Sequence, residues 1–442
     1  MNLNRKLWWA QHKSNVYKYG TILSLVLIVT ISIIYFTYSK FTSKNEITAY
    51  ETTVEPFIKN DYFIASYIDG EWSNEIPGKD DGYVVDKIVC DNGAIGTWNS
   101  DEWSITIRNA TKKIKCSVFF IVKPLSAVEK ITTLATTDTT NFATDDPDNN
   151  IRYIGANPNN YVYFNCSDYN NQTDSTCEKW RIIGVFKNIT KSDGTKENLV
   201  KIIRDDRIGN YPWDRSDSNY GVNDWKNADV MKLLNSGYDS NTVGGSLYWN
   251  AKSGTCYSGQ NNATKSCDFT STGLKNDSTR NAIESVVWNL GGTASYTSAS
   301  NGLASHFYGY ERGTTVYSGR PTRWTGKVGL MYPSDYGYAT AGGATTNRAA
   351  CLAKELYNWY ESGVSDCKNN DYLYKSSYTQ WILTPVSSYY FHVFYVAKDG
   401  RVNILIASDA DSVRPAVFLK SNIIISEVGN GSSATPYQLS VK

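Results

Sequence analysis

The chain has 442 residues, with 44 Lys+Arg against 43 Asp+Glu and a formal net charge of +1. That length exceeds one ordinary domain and suits two or three. The balanced charge excludes a partner gripped through its phosphate backbone, so no nucleic acid is expected.

The charges are unevenly placed, since Arg5, Lys6, Lys13 and Lys18 come before any acidic residue. The segment that follows, Gly20 to Tyr38, carries no charge and is long enough to cross a bilayer. By the positive-inside rule, 1–18 is expected to be a cytoplasmic basic tail and 19–38 a transmembrane signal anchor, with everything after Lys40 outside. Tyr35-Phe36-Thr37-Tyr38 is a poor signal-peptide cleavage site and a good interfacial belt. The expected product is a single-pass cell-membrane protein with an extracellular C-terminal part.

All eight cysteines lie in that expected exterior, and no CxxC occurs. An even count outside the cell reads as disulfides. Proximity in sequence pairs Cys90 with Cys116, Cys166 with Cys177, Cys256 with Cys267 and Cys351 with Cys367. Each short staple restricts the unfolded chain by about 3 kcal/mol.

Residues 39–59 read as a polar stalk. Residues 60–123 read as a small β domain, from Tyr62-Phe63-Ile64, Tyr83-Val84-Val85, Trp103 to Ile107 and Cys116 to Ile121, with Trp98 and Trp103 filling its core. A sugar platform at these two tryptophans is the functional alternative. The Thr- and Asp-rich stretch 124–150 reads as a linker. No period of 20 to 50 residues recurs, which argues against a solenoid or propeller.

From Ile151 the composition turns to Tyr, Trp, Asn, Ser and Gly, as suits a loop-rich fold. Helices are predicted at Asp224 to Gly237, Asp277 to Asn289 and Thr345 to Tyr360, and strands at Trp180 to Phe186 and Leu199 to Ile203. The expected class for 151–442 is a mixed α+β domain.

Six segments carry a resemblance: Tyr161 to Cys166, Trp180 to Val185, Tyr211 to Asp214 with Asn223 to Trp225, Val328 to Gly337, Trp381 to Pro385, and Val413 to Val417. Taken in order, they resemble secreted or anchored proteins of gut-dwelling bacteria whose C-terminal domain is similar to the C-type lectin-like fold of formylglycine-generating enzymes. The resemblance also supports the Cys166–Cys177 pair. Some relatives carry, near the C-terminus, a region diversified by retroelements that mutate adenines of a template copy. It implies that Trp381 to Pro385 and Val413 to Pro415 are frame. The implied display residues are Tyr389, Tyr390, Phe391, His392, Phe394, Tyr395, Lys398, Arg401, Asn403, Ile404, Leu405, Asp409, Ala410 and Asp411.

The residue types favour a binding patch on their own account. Tyr and Phe supply rigid contact area, Ser and Asn adaptable hydrogen bonds. Five aromatic residues stand between Tyr389 and Tyr395, too many for one alternating strand to bury, counting His392 among neither set. The competing reading puts Tyr390, His392 and Phe394 on the core face of a strand.

Catalysis finds little footing. Formylglycine-generating enzymes hold copper with a pair of thiols, and no matching pair lies near the C-terminal strands, all cysteines being taken up by local staples. The three histidines, His12, His306 and His392, put only two outside, too few for a three-histidine iron site. No GxSxG elbow occurs. Carboxylates such as Asp205-Asp206 and Glu355 leave a glycosidase pair open. The EPN and WND triplets of calcium-dependent lectins are missing, and Asn223-Asp224-Trp225 reads as a helix cap. Asp138 to Asp148 lacks the ligand spacing of an EF-hand. No metal or other cofactor is expected. The reading is a non-enzymatic surface protein that binds an extracellular protein or glycan. The alternatives are a cell-envelope enzyme acting on glycans and a structural surface protein.

Overall fold

The computed structural model describes residues 12–15, 17–30, 62–68, 70–73, 75–110, 113–215, 219–259 and 264–441. Residues 17–30 are helical. The rest of the expected span, 31–38, and the expected stalk, 39–59, lie outside the described residues. No helix among the described residues is long and apolar enough to cross a membrane. The chain divides into two units, 1–123 and 124–442.

In the first unit, β1 (Tyr62–Ile68), β2 (Glu71–Ser73), β3 (Tyr83–Cys90), β4 (Ile95–Asn99), β5 (Ser104–Arg108) and β6 (Ile114–Val122) follow one another. Four of them form a sheet in the order β2-β1-β6-β3, and β4 and β5 make a hairpin. The period-2 pattern of β6 explains its place: Ile114, Cys116, Val118 and Phe120 point into a core, and Lys115 and Ile121 point out. Cys90 and Cys116 stand opposite each other on β3 and β6 and are bonded. Trp98 and Trp103 pack edge to face at 5.1 Å and both lean on Phe120, so they belong to this core.

The second unit is mixed α+β. It opens with α1 (Ala127–Thr137) and β7 (Phe142–Ala143), in the stretch 124–150 expected to be a linker. That expectation is corrected. Ser126 caps α1 with a reciprocal pair: its hydroxyl accepts from Glu129 N at 3.2 Å while its own N–H donates to the Glu129 carboxylate at 2.8 Å. Ala127 and Ile131, one turn apart, are buried. Such a narrow apolar stripe suffices for a helix lying on a sheet, and the threonines after it occupy the outer face.

The chain continues through β8 (Ile151–Tyr153), β9 (Tyr161–Phe164), β10 (Glu178–Thr190), β11 (Lys196–Arg204) and β12 (Asn210–Pro212). After β12 come α2 (Asp229–Leu234), the hairpin β13 (Ser253–Tyr257) and β14 (Thr264–Asp268), α3 (Asp277–Ala282), β15 (Val286–Asn289) and α4 (Ala304–Arg312). The last part holds β16 (Arg323–Gly326), β17 (Val328–Gly329), α5 (Pro333–Ala339), α6 (Arg348–Leu352) and α7 (Ser365–Asn369). It closes with β18 (Gln380–Pro385), β19 (His392–Val396), β20 (Val402–Ile406), β21 (Ala410–Ser412), β22 (Ala416–Phe418), β23 (Ile424–Ile425) and β24 (Leu439–Ser440). One sheet runs β17-β22-β11-β10-β8-β7 with β9 also on β10, and a second runs β12-β21-β18-β19-β20.

The three predicted helices are each cut short. Asp224 to Gly237 becomes a 3₁₀ turn at Trp225–Asn227 followed by α2, because Ala228 adopts an extended conformation between them. Asp277 to Asn289 is helical only to Ala282, since Val286, Val287 and Trp288 pair with β16 as a strand. Thr345 to Tyr360 holds α6 and a 3₁₀ turn at Leu356–Asn358. The three remaining disulfides are the local ones expected: Cys166–Cys177, Cys256–Cys267 and Cys351–Cys367.

Charges are buried at the centre of this unit. Arg152 donates to Asp146 at 2.6 Å and to Asp335 at 3.0 Å, and the Lys201 ammonium meets Asp335 at 2.5 Å. Glu311, also fully buried, accepts from Ser334 N at 3.0 Å and from its hydroxyl at 2.6 Å. Burial pushes the Glu311 carboxyl up to about 7.

Candidate functional site

The expected display segment falls on the edge of the second sheet. Strand β19 lies between β18 and β20, and β20 is the edge. His392 faces Ile406 across the pair, Val393 faces Leu405, and Tyr395 faces Asn403. The loop 386–391 enters one end of β19 and the turn 397–401 leaves the other, roughly 14 Å away at about 3.4 Å per residue.

At the loop end the rings form a chain. Tyr389, exposed at 50%, lies 5.0 Å from His392 and 6.0 Å from Phe391. Phe391 also meets Tyr390 at 4.8 Å and Tyr220 at 5.0 Å, and Tyr317 meets Tyr390 at 6.1 Å. Tyr220 is exposed, whereas Tyr390, Phe391 and His392 are half-buried. Burial lowers the His392 imidazole from its ordinary value, favouring its neutral form.

At the turn end, Lys398 is exposed and Arg401 is half-buried. The Arg401 guanidinium lies 3.9 Å over the Tyr360 ring and bonds Asp399 at 2.8 Å. The turn itself is pinned from below: Tyr336 donates to Gly400 O at 2.7 Å and Lys368 to Asp399 O at 2.6 Å. Between the two ends, Tyr395, Asn403, Ile404 and Leu405 are half-buried along the strand pair, and Tyr296 donates to Asn403 Oδ1 at 3.0 Å. Asp409, half-buried, follows β20 on the loop side, beside the Ala407 N–H that donates to Phe391 O.

Two of the expected display residues are not at the surface. Phe394 is fully buried, its ring against Tyr296 at 4.9 Å and Phe307 at 5.2 Å. Asp411, 3% exposed on β21, is bonded to the Thr379 hydroxyl and to Ser412 N. Phe394 lies on a strand flanked by β18 and β20, and α4 covers the face to which its ring points. Asp411 lies on β21 between β12 and β18, where Thr379, just before β18, takes up its carboxylate. The reading that set Phe394 on a core face is therefore the right one for that residue, while Tyr390 and His392 are only partly covered.

The residue that organises the loop is one that sequence reasoning assigned to a helix cap. Asn223 is buried, and its amide Nδ2 donates to Val386 O at 2.8 Å, Tyr389 O at 2.7 Å and His392 O at 3.0 Å. Its backbone N–H donates to Tyr390 O at 2.7 Å. Gly221, two residues earlier, holds a φ of +72° and comes so close to Asp214 that a Cβ would sit 2.2 Å from its carbonyl oxygen. Only glycine fits that approach. Tyr220 and Asn223 are thereby placed on either side of the bend. Neither role has a signature in the sequence, because an Asn that staples a loop some 165 positions later looks like any other loop Asn.

Among the described residues no three His, Cys, Asp or Glu side chains gather as a metal-binding group. Comparison with known proteins finds no matching family, no matching curated protein and no matching solved structure.

Proposed function

We propose that the chain is a membrane-anchored surface protein whose C-terminal unit, a C-type lectin-like domain, binds an extracellular protein or glycan through the strip from Tyr389 to Asp409. The observation that carries this reading is the contrast between loop and frame at Asn223. Four hydrogen bonds from one buried residue fix the backbone of 386–392, while Tyr389 stands half exposed on it and Tyr220 beside it. Rigid presentation of exposed aromatic rings lowers the entropy lost on binding. The exposed apolar side chains of the 17–30 helix, including Leu23, Leu25 and Ile28, support a lipid-facing anchor, and the four disulfides support an oxidising exterior.

The strip further fits a diversified receptor, in which exposed positions change and the frame does not. Sequencing this locus from many cells of one population tests it. Substitutions are expected at Tyr389, Tyr390, Lys398, Arg401, Asn403, Leu405 and Asp409, at adenines of a nearby template copy, with Asn223, Phe394 and Asp411 constant. A segment as quiet as the rest of the gene, or one that changes equally at Phe394, overturns the diversified reading.

A further inference from the structure

One cleft of the second unit shares no residue with the aromatic strip. It is a cleft of about 550 Å³, bordered by β10, β11, β15, α4 and β16. That volume lies within the roughly 300–1,000 Å³ of small-molecule sites. Its lining carries four cations, Lys187, Lys196, Arg312 and Arg323, against one carboxylate, Asp148.

Three of the four cations are uncommitted. Lys187, Lys196 and Arg323 are exposed, and their side chains make no ion pair among the described residues. Arg312 is fixed: its guanidinium lies 3.3 Å over the Tyr308 ring, and Nη1 donates to Tyr308 O and to Glu311. Tyr308 is in turn locked by its hydroxyl, which donates to Asp148 at 2.5 Å and accepts from Asn150 at 2.9 Å. One guanidinium is thus positioned in advance, and three exposed cations stand around it. Like charges gathered around one concavity raise the local concentration of an anion.

The rings there are covered. Phe186 and Tyr308 are both buried, and Arg312 occupies a face of Tyr308, so no open platform exists for a nucleobase or for the apolar face of a neutral sugar. What the cleft offers instead is positive charge and the neutral hydrogen-bonding groups of Asn188, Thr190 and Asn289. We propose that this cleft binds an acidic saccharide, its anionic group held by Arg323, Lys187 and Lys196 around the fixed Arg312 and its hydroxyls by Asn188, Thr190 and Asn289.

Titration calorimetry on the full chain, with a glucuronate-containing tetrasaccharide and a glucose tetrasaccharide as neutral counterpart, tests the assignment. The acidic tetrasaccharide is expected to bind and the neutral one not. The double variant Lys187→Ala/Arg323→Ala is expected to weaken binding about tenfold or more, as loss of two charge contacts should, without changing the melting temperature, because both side chains are exposed. Tyr389→Ala is expected to leave this binding intact. Failure of the acidic sugar to bind, equal binding of the neutral one, or an unchanged affinity in the double variant overturns the proposal. So does displacement of the sugar by an equal concentration of inorganic sulfate, which would mark a general anion patch.

Discussion

Replacing Asn223 by alanine should loosen the display loop without touching its surface. The amide Nδ2 serves three carbonyls, but His392 O also accepts from Val386 N, so it keeps a partner. Val386 O and Tyr389 O lose theirs. Two hydrogen bonds forfeited in a buried setting, at roughly 1–2 kcal/mol each including the stranded acceptors, amount to about 2–4 kcal/mol. Most of that should appear locally, since the backbone bond from Asn223 N to Tyr390 O survives. Hydrogen exchange reads this directly at the amides of Val386, Ser387 and Ala407, which bond His392 O, Thr293 O and Phe391 O. Their protection should fall by more than that of Ile202 or Val417 in the other sheet. Asn223→Asp keeps the shape but turns a carboxylate oxygen toward carbonyl oxygens, and should cost at least as much as alanine. Protection at Val386 and Ala407 unchanged in Asn223→Ala, or a wild-type Asn223→Asp, would refute the role of the amide as donor.

Two further expectations follow from burial. Glu311 is held at about 7 by burial against an ordinary 4.5. The folded state therefore binds its proton more tightly than the unfolded state, so the contribution is whole below about pH 4.5 and is lost as pH rises through 7, about 3 kcal/mol in all. Urea unfolding of wild type and Glu311→Gln from pH 5 to 8 should show a declining difference that favours the variant at the alkaline end; parallel profiles would exclude Glu311 as the titrating group. In the display segment, Phe394→Ala should cost about 3–5 kcal/mol of stability, and Tyr389→Ala no more than about 0.5 kcal/mol. Chemical denaturation separates them, and equal losses would contradict the division into frame and surface.

Much of the fold could be read from the sequence where one physical signal dominates. Alternation gave β6 because it buries one face of its sheet, whereas β10 and β11 show as apolar runs because both of their faces are covered, and proximity gave the disulfides because each joins neighbouring strands, closes a short loop or ties two nearby helices. Helices were overextended where the apolar period persists but the backbone turns, as at Ala228 and Ile283. Segment 124–150 reads as a linker because only two apolar residues, Ala127 and Ile131, hold its helix and threonines fill much of the rest. In the candidate site, the aromatic density from Tyr389 to Tyr395 falls on a loop and the strand after it, with Tyr389 exposed and Phe394 buried. Which rings emerge depends on what covers each face, and that is set by α4 and by residues far away in sequence. Asn223 and the cleft around Arg312 are legible only in three dimensions, since their partners lie on distant segments.

The division of labour at the strip follows from where hydrogen bonds are spent. Residues 386–392 and 397–401 bond through their backbones, to Asn223, Thr293, Lys368 and Tyr336, and hardly at all through their own side chains apart from Arg401 with Asp399. A loop fixed by its main chain keeps its shape whatever side chains it carries. That is the property a surface needs if its side chains are to be exchanged, and it holds at Tyr389, Tyr390 and Lys398. It fails at Phe394, whose ring fills a space between Tyr296 and Phe307, and at Asp411, whose carboxylate holds Thr379. The line between exposed and buried positions thus runs through the strip residue by residue: on β19, Val393, Phe394 and Val396 are buried on both faces of the strand, while His392 and Tyr395 are half-buried.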